Sequence, residues 1–206
     1  MTFQATLVTD GSSDVVLVRI LEWLIARLTT TEIGIRWADL RGLSKKPQGL
    51  GERILVATRL YPCQVLFVHR DAENQDPKLR YAEVQVANTT GLGHVCIVRM
   101  QEAWLLHNEA ALREAADRPS GTDPLDLSTA ARWEQLPDPK ATLYTALRTA
   151  SGATGRRAKR FKPARAAHRL AELITDWSPL RSLTAFAQLE TDTRAALQNL
   201  GIVVIE

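Results

Sequence analysis

Acidic residues stand at the ends of apolar runs in this chain, and their types and spacing give the first chemical clue. Thr6-Leu7-Val8-Thr9 runs into Asp10, and Asp14 follows after Gly11-Ser12-Ser13. Val65-Leu66-Phe67-Val68 runs into His69-Arg70-Asp71-Ala72-Glu73. Val95-Cys96-Ile97-Val98 is followed by Arg99-Met100-Gln101-Glu102. If these runs are strands of a parallel sheet, their carboxyl ends share one edge, where such sheets bind ligands. Carboxylates gathered there repel one another unless a cation lies between them. The economical reading is a divalent-metal site drawing on Asp10, Asp14, Asp71, Glu73 and Glu102.

Each acid also has a plainer explanation. Asp10 can cap a helix and Asp14 can complement its dipole. Asp71 and Glu73 can be the polar turn that follows a buried strand, although an acid pair surfacing there is costly without a partner. Glu102 can be an ordinary first-turn glutamate. Among the histidines, His69 reads as an orienting or packing residue, with a ligand or base role as the alternative. His107 could face the same site as Glu102. Trp104 reads as core. No Cys/His metal spacing, phosphate-binding loop or nucleophile-elbow motif is present in the sequence.

The elements that must position these residues can be read from periodicity. Phe3 to Thr9, Ile33 to Trp37, Gln64 to Val68 and His94 to Arg99 read as strands. Residues 13–28, 50–61 and 77–87 show helical patterns between them, and a long helix is expected from Gln101 through Ala116. Such alternation predicts an α/β fold, a Rossmann-like parallel sheet flanked by helices. Pro119-Ser120-Gly121-Thr122-Asp123-Pro124 reads as a linker or exposed loop. Beyond it, residues 128–150, 163–176 and 179–199 are helical in pattern, and Ile202-Val203-Val204-Ile205 is a candidate last strand. This divides the chain into a metal-binding core over 1–118 and a mostly helical C-terminal elaboration over 119–206.

With 206 residues, 45% of them apolar, the chain is long enough for a real core. Cys63 and Cys96 sit beside or inside strand-like runs and read as buried residues of a reducing compartment. No apolar run is long enough to cross a membrane and the start has no signal-peptide pattern, so a soluble cytoplasmic protein is expected. The net charge is only +3, but its distribution is uneven. Arg156, Arg157, Lys159, Arg160, Lys162, Arg165 and Arg169 lie in a stretch without an acid. That stretch could clamp a nucleic-acid backbone, or be a solvated loop and helix face. Lys140 and Lys162 are the best single candidates to neutralise a phosphate near the acids.

Taken together and in order, these pieces resemble a toprim domain. They are most similar to a bacterial toprim-like family of unassigned function, related to nucleases of the overcoming-lysogenization-defect type. The resemblance rests on Val8-Thr9-Asp10-Gly11-Ser12-Ser13-Asp14, Glu102-Ala103-Trp104-Leu105-Leu106, Asp138-Pro139-Lys140 and the segment from Ser178-Pro179 to Phe186. It implies divalent-metal-dependent phosphoryl transfer on nucleic acid, DNA favoured over RNA, in a phage-defence system beside an ATPase. Carried over, Asp10, Asp14, Asp71, Glu73 and Glu102 would hold Mg²⁺ or Mn²⁺, and Asp10, Lys140 and Lys162 would form the catalytic group. The basic segment Arg156, Arg157, Lys159, Arg160, Lys162 and Arg165 would bind the nucleic acid. The chain departs from the family's pattern in having Asp10 where Glu is usual, Glu73 as the second acid of the pair, and His107 or Asn108 where an Asp is usual.

Two functions from different classes are therefore expected. One is a metal-dependent nuclease. The other is a catalytically impaired toprim-like subunit that binds a partner protein or nucleic acid. A phosphatase with an Asp-x-Asp nucleophile is a weaker third reading, because Asp10-Gly11-Ser12 does not provide that motif.

Overall fold

The computed structural model describes residues 3–71, 76–98 and 101–205, apart from the side chain of Ala131. The fold is α/β, with a four-stranded, all-parallel sheet flanked by helices. The chain forms two compact units, one of residues 1–99 with 185–206 and one of residues 100–184. The division thus falls at residue 99, not 118, and the last helix returns to the first unit.

In the first unit, strands β1 (Phe3–Val8), β2 (Ile33–Trp37), β3 (Val65–Arg70) and β4 (His94–Val98) lie in the order β2-β1-β3-β4. Parallel strands need long crossovers, and helices α1 (Leu17–Leu28), α2 (Gly49–Leu60) and α3 (Pro77–Ala87) supply them. The path steps one way from β1 to β2, then returns past β1 to β3 and continues the same way to β4. Right-handed crossovers then put α1 on one face and α2 and α3 on the other. Alternate strand residues Val8, Leu66, Val68, Cys96 and Val98 accordingly pack with Leu50, Ile54 and Ala57 of α2 and Val84 of α3. Leu17, Ile20, Leu21, Leu24, Ile25 and Leu28 make the buried stripe of α1, at helical spacing. β3 is buried from Val65 to His69, as expected of a central parallel strand covered on both faces.

Several boundaries differ from those read in the sequence. Residues 12–16 form a tight 3-10 turn before α1, because the Asp14 carboxylate turns back to accept the Gly11 N–H. β3 runs two residues further, through His69 and Arg70. The expected last strand is not formed. Instead Ile205 N–H donates to the Leu28 carbonyl at 2.7 Å and the Thr29 hydroxyl donates to the Val203 carbonyl at 2.7 Å. These bonds tie the C-terminus to the end of α1. Helix α9 (Thr184–Asn199) brings Phe186 within 6.4 Å of the Trp23 ring, centroid to centroid.

The second unit is helical. The long helix expected from Gln101 is split into a 3-10 segment, Gln101–His107, and α4, Glu109–Ala115. Asn108 makes the break, because its side chain accepts the Ala111 N–H at 2.9 Å and caps α4. The pattern over 128–150 is likewise broken into α5 (Ala130–Trp133) and α6 (Pro139–Ser151). Pro137 and Pro139 lack the N–H groups a continuous helix needs, and Asp138 caps α6 through the Ala141 N–H. Gly152 ends α6 at φ 57°, and a Cβ there would lie 2.1 Å from the Arg118 guanidinium. Helix α7 (Gly155–Arg160) follows, then α8 (Pro163–Leu173), which packs with α4 and α6.

Truncating a side chain in the α1 stripe should show how the first unit is held. Leu24 is fully buried, so Leu24→Ala is expected to cost about 2–5 kcal/mol in urea unfolding. Leu79 is 59% exposed, and Leu79→Ala should change stability by no more than about 0.5 kcal/mol.

Candidate functional site

The strand order reverses between β1 and β3, and the carboxyl ends of those strands open the crevice used by ligands of doubly wound sheets. Their register sets Val8 of β1 beside Val68 of β3. The residues that follow each strand therefore meet at one edge. Asp10 and Asp14 come from β1 and the turn after it, and His69, Arg70 and Asp71 from the end of β3.

Asp14 is buried, only 4% exposed, and both of its carboxylate oxygens are occupied. Oδ2 accepts the Gly11 N–H at 3.0 Å and lies 3.3 Å from His69 Nδ1. Oδ1 accepts the Ser13 hydroxyl at 3.1 Å. Burial, the largest influence, pushes the Asp14 carboxyl up. The hydrogen bond and positive charge of His69, with the Gly11 and Ser13 donors, outweigh it and leave the carboxyl below its ordinary value of 3.8. His69 is itself fully buried, and its Nε2 lies 3.6 Å from Asp71 Oδ1. The ring thus spans two carboxylates of the same edge. A neutral imidazole can donate to one of them, and an imidazolium to both.

Asp10 has a different environment. Its Oδ1 accepts from the guanidinium groups of both Arg53 on α2 and Arg70 on β3. Arg70 also holds Glu83 of α3 at 2.8 Å, and Arg80 holds the same carboxylate at 3.0 Å. Burial works against the Arg70 charge, but Asp10 and Glu83 more than offset it and raise its pKa. Arg80 Nε donates to the Asp71 carbonyl at 3.0 Å, which fixes the backbone where β3 surfaces.

Beside Asp10 lies a cavity of about 210 Å³, lined by Gly11, Ser12, Trp37, Arg41, Lys46 and Arg53 among others. Trp37 Nε1 donates to the Thr9 hydroxyl at 3.0 Å, and that hydroxyl donates to the Gly11 carbonyl at 2.8 Å. This chain of bonds fixes the cavity wall. Arg41 stands over the Trp37 ring, 5.0 Å from its centroid, and grips Asp39 through two bonds of 2.8 and 2.7 Å. That grip holds the Asp39 carboxyl down at about 2. Arginine and lysine side chains therefore converge on an open concavity at the carboxyl ends of β1 and β2.

The remaining expected site residues belong to the second unit or fall outside the described residues. Glu73 is outside the described residues. Glu102 and Lys140 belong to the second unit, where Lys140 Nζ is 3.6 Å from the buried Glu102 Oε1. His107 in that unit is structural. Its ring lies 5.3 Å from that of Trp177 and 6.3 Å from that of Trp133. Its Nδ1 and Nε2 face the carbonyls of Trp104 and Asp176 at 2.8 and 3.1 Å. Trp104 is fully buried core, with Nε1 donating to Glu134 at 3.3 Å. Lys162, Arg156, Arg157, Lys159, Arg160 and Arg165 lie on α7, α8 and the turn between them, all exposed.

Among the described residues of this edge, the acids are engaged by the chain's own donors and are not gathered around a position for the divalent ion that the toprim resemblance implies. Asp10 already binds two arginines, and Asp14 accepts from Gly11 and Ser13 and lies against His69. Among the described residues, no three His, Cys, Asp or Glu side chains are grouped to hold a metal. Sequence reasoning missed Arg41, Lys46, Arg53 and Arg70 as members of this edge. The signal was there for Arg70, which stands between His69 and Asp71, but acids awaiting a metal gave no reason to look for cations. Comparison with protein-family models, curated proteins and solved structures finds no match. Among the described residues, no helix is long and apolar enough to cross a membrane.

The Asp14 pairing predicts a pH dependence. A carboxyl lowered on folding adds stability that is fully present above its unfolded value of 3.8 and is lost as pH falls through the lower folded value. Asp14→Asn should cost about 1.5–3 kcal/mol at neutral pH, the range for hydrogen bonds to a charged group. Urea unfolding of both proteins should show that gap narrowing below about pH 4.

Proposed function

We propose that the chain is a toprim-like subunit that binds the phosphodiester backbone of nucleic acid at the carboxyl edge of β1 and β2, without being an active metal enzyme on its own. One observation carries this reading. Asp10 and Asp14 are engaged by the chain's own Arg53, Arg70 and His69, while Arg41 and Lys46 line the same cavity as Asp10. Guanidinium and ammonium groups are the usual partners of phosphate, and Lys46 brings an ammonium to the same wall as Arg41, whose fork is held by Asp39. The toprim resemblance adds an ATPase partner in phage defence as the setting.

The second reading is a divalent-metal-dependent nuclease acting on DNA, with Mg²⁺ or Mn²⁺. Asp10 and Asp71 follow neighbouring strands at the switch point, and that arrangement favours it. On this reading Lys140 and Lys162 would serve the phosphate, and Glu73 and Glu102 would complete the acids.

Binding and cleavage can be read in the same buffers. Duplex and single-stranded DNA should bind the wild-type chain in the presence of EDTA. Lys46→Ala with Arg53→Ala should weaken that binding about tenfold or more and reduce the dependence on salt by roughly one phosphate contact per residue. Calorimetry with Mn²⁺ should give no strong heat, and plasmid nicking should be absent. Heat and nicking that are both lost in Asp71→Ala would instead establish the nuclease. Neither DNA binding nor metal heat would sink both readings.

A further inference from the structure

The second unit has a concavity of its own. A cavity of about 330 Å³ lies where the C-terminal end of α4 meets the turn between α7 and α8. Arg160, Lys162, Arg165 and Arg169 line it, together with Phe161. Asp117 is the one carboxylate in its lining among the described residues, and it is engaged by Arg169. The turn explains how the cations come together. Lys162 precedes Pro163, which keeps it out of the helical region, at φ −112° and ψ 89°. Phe161 before it is extended, so α7 stops and α8 starts afresh. Arg165 and Arg169 are then one turn apart on the same face of α8, and Arg160 reaches the cavity from the end of α7.

Charge gathered around one hollow differs from charge spread along a helix. A continuous backbone offers one negative charge per phosphate, in a line. A terminal phosphate monoester carries about −1.5 to −2 and offers three acceptor oxygens at a single point. Forked arginine donors match that group. Phe161, half-buried in the same wall, presents an aromatic side chain on which a base can stack. Stacking on a cavity wall needs an unpaired base, which a duplex does not provide.

We propose that the α7–α8 cavity receives the terminal phosphate of a single-stranded nucleic acid, with the adjoining base against Phe161. This goes beyond backbone binding at the sheet edge and stands on a separate unit.

The test uses the whole chain and short single strands carrying a 5′-phosphate, a 3′-phosphate or neither, read by fluorescence anisotropy. One phosphorylated end should bind about tenfold tighter than the unphosphorylated strand, the change expected of a charge-assisted contact. Arg165→Ala and Arg165→Gln should both remove that preference with unchanged thermal unfolding, since Arg165 is exposed. Phe161→Leu should weaken phosphorylated and unphosphorylated strands alike, about tenfold, and keep the preference. Arg53→Ala, at the sheet edge, should leave the preference intact even where total affinity falls. Equal binding of all three strands overturns the proposal, as does a preference that survives in both Arg165 variants or disappears in Arg53→Ala.

Discussion

Asp14 is a carboxylate taken out of water, and the edge of the sheet is arranged around that cost. A buried charge is tolerated only when it is paired and hydrogen-bonded. Here the backbone turns back on itself so that Gly11 can donate, which is why the chain enters α1 through a 3-10 turn instead of a regular helix. His69 must then sit fully buried at the end of β3, within reach of Asp14 on one side and Asp71 on the other. The extra length of β3 follows from the same demand, since the strand has to carry His69 under the turn before it can surface.

The second layer of this edge is built from arginines. Asp10 could have been left to water or to an ion, but Arg53 comes from α2 and Arg70 from β3 to share it. Arg70 and Arg80 in turn share Glu83 of α3. The acids, arginines and histidine form a continuous lattice of opposite charges from β1 to α3. Such a lattice makes the edge rigid and nearly neutral. A metal would have to displace guanidinium groups that are held from two directions.

Much of the framework was legible in the sequence, for physical reasons that can be named. The bounds of β2 and α3 agree with their patterns because Asp76 and Pro77 punctuate the start of α3 and a short apolar run has few alternatives. The failures came where local chemistry interrupts a periodic pattern. Asn108 sits in an unbroken apolar rhythm, yet its capping side chain ends one helical segment and begins the next. The Ile202-Val203-Val204-Ile205 run has the composition of a strand, but hydrogen bonds to Leu28 and from Thr29 hold it against the end of α1. The acids of the edge were legible as a group. Their partners were not, because an arginine on α2 carries no mark in sequence that it will reach a residue after β1.

Glu102 and Lys140 show the same logic at work within the second unit. Glu102 follows the last strand, and by position alone it is one more acid for the edge. Its own unit gives it a partner in Lys140, whose place is fixed by the Asp138 cap and the Pro139 start of α6. The Asp138-Pro139-Lys140 segment is thus first a device for starting a helix and aiming one ammonium at a buried carboxylate. Lys140 remains 44% exposed on its side chain, so the pair is not sealed. An ammonium held 3.6 Å from one carboxylate and open to solvent can still meet a second anion. Charge in both units therefore follows one rule. Buried carboxylates such as Asp14 and Glu102 are paired within their own unit, while Lys46, Arg156 and Arg165 stand at the surface.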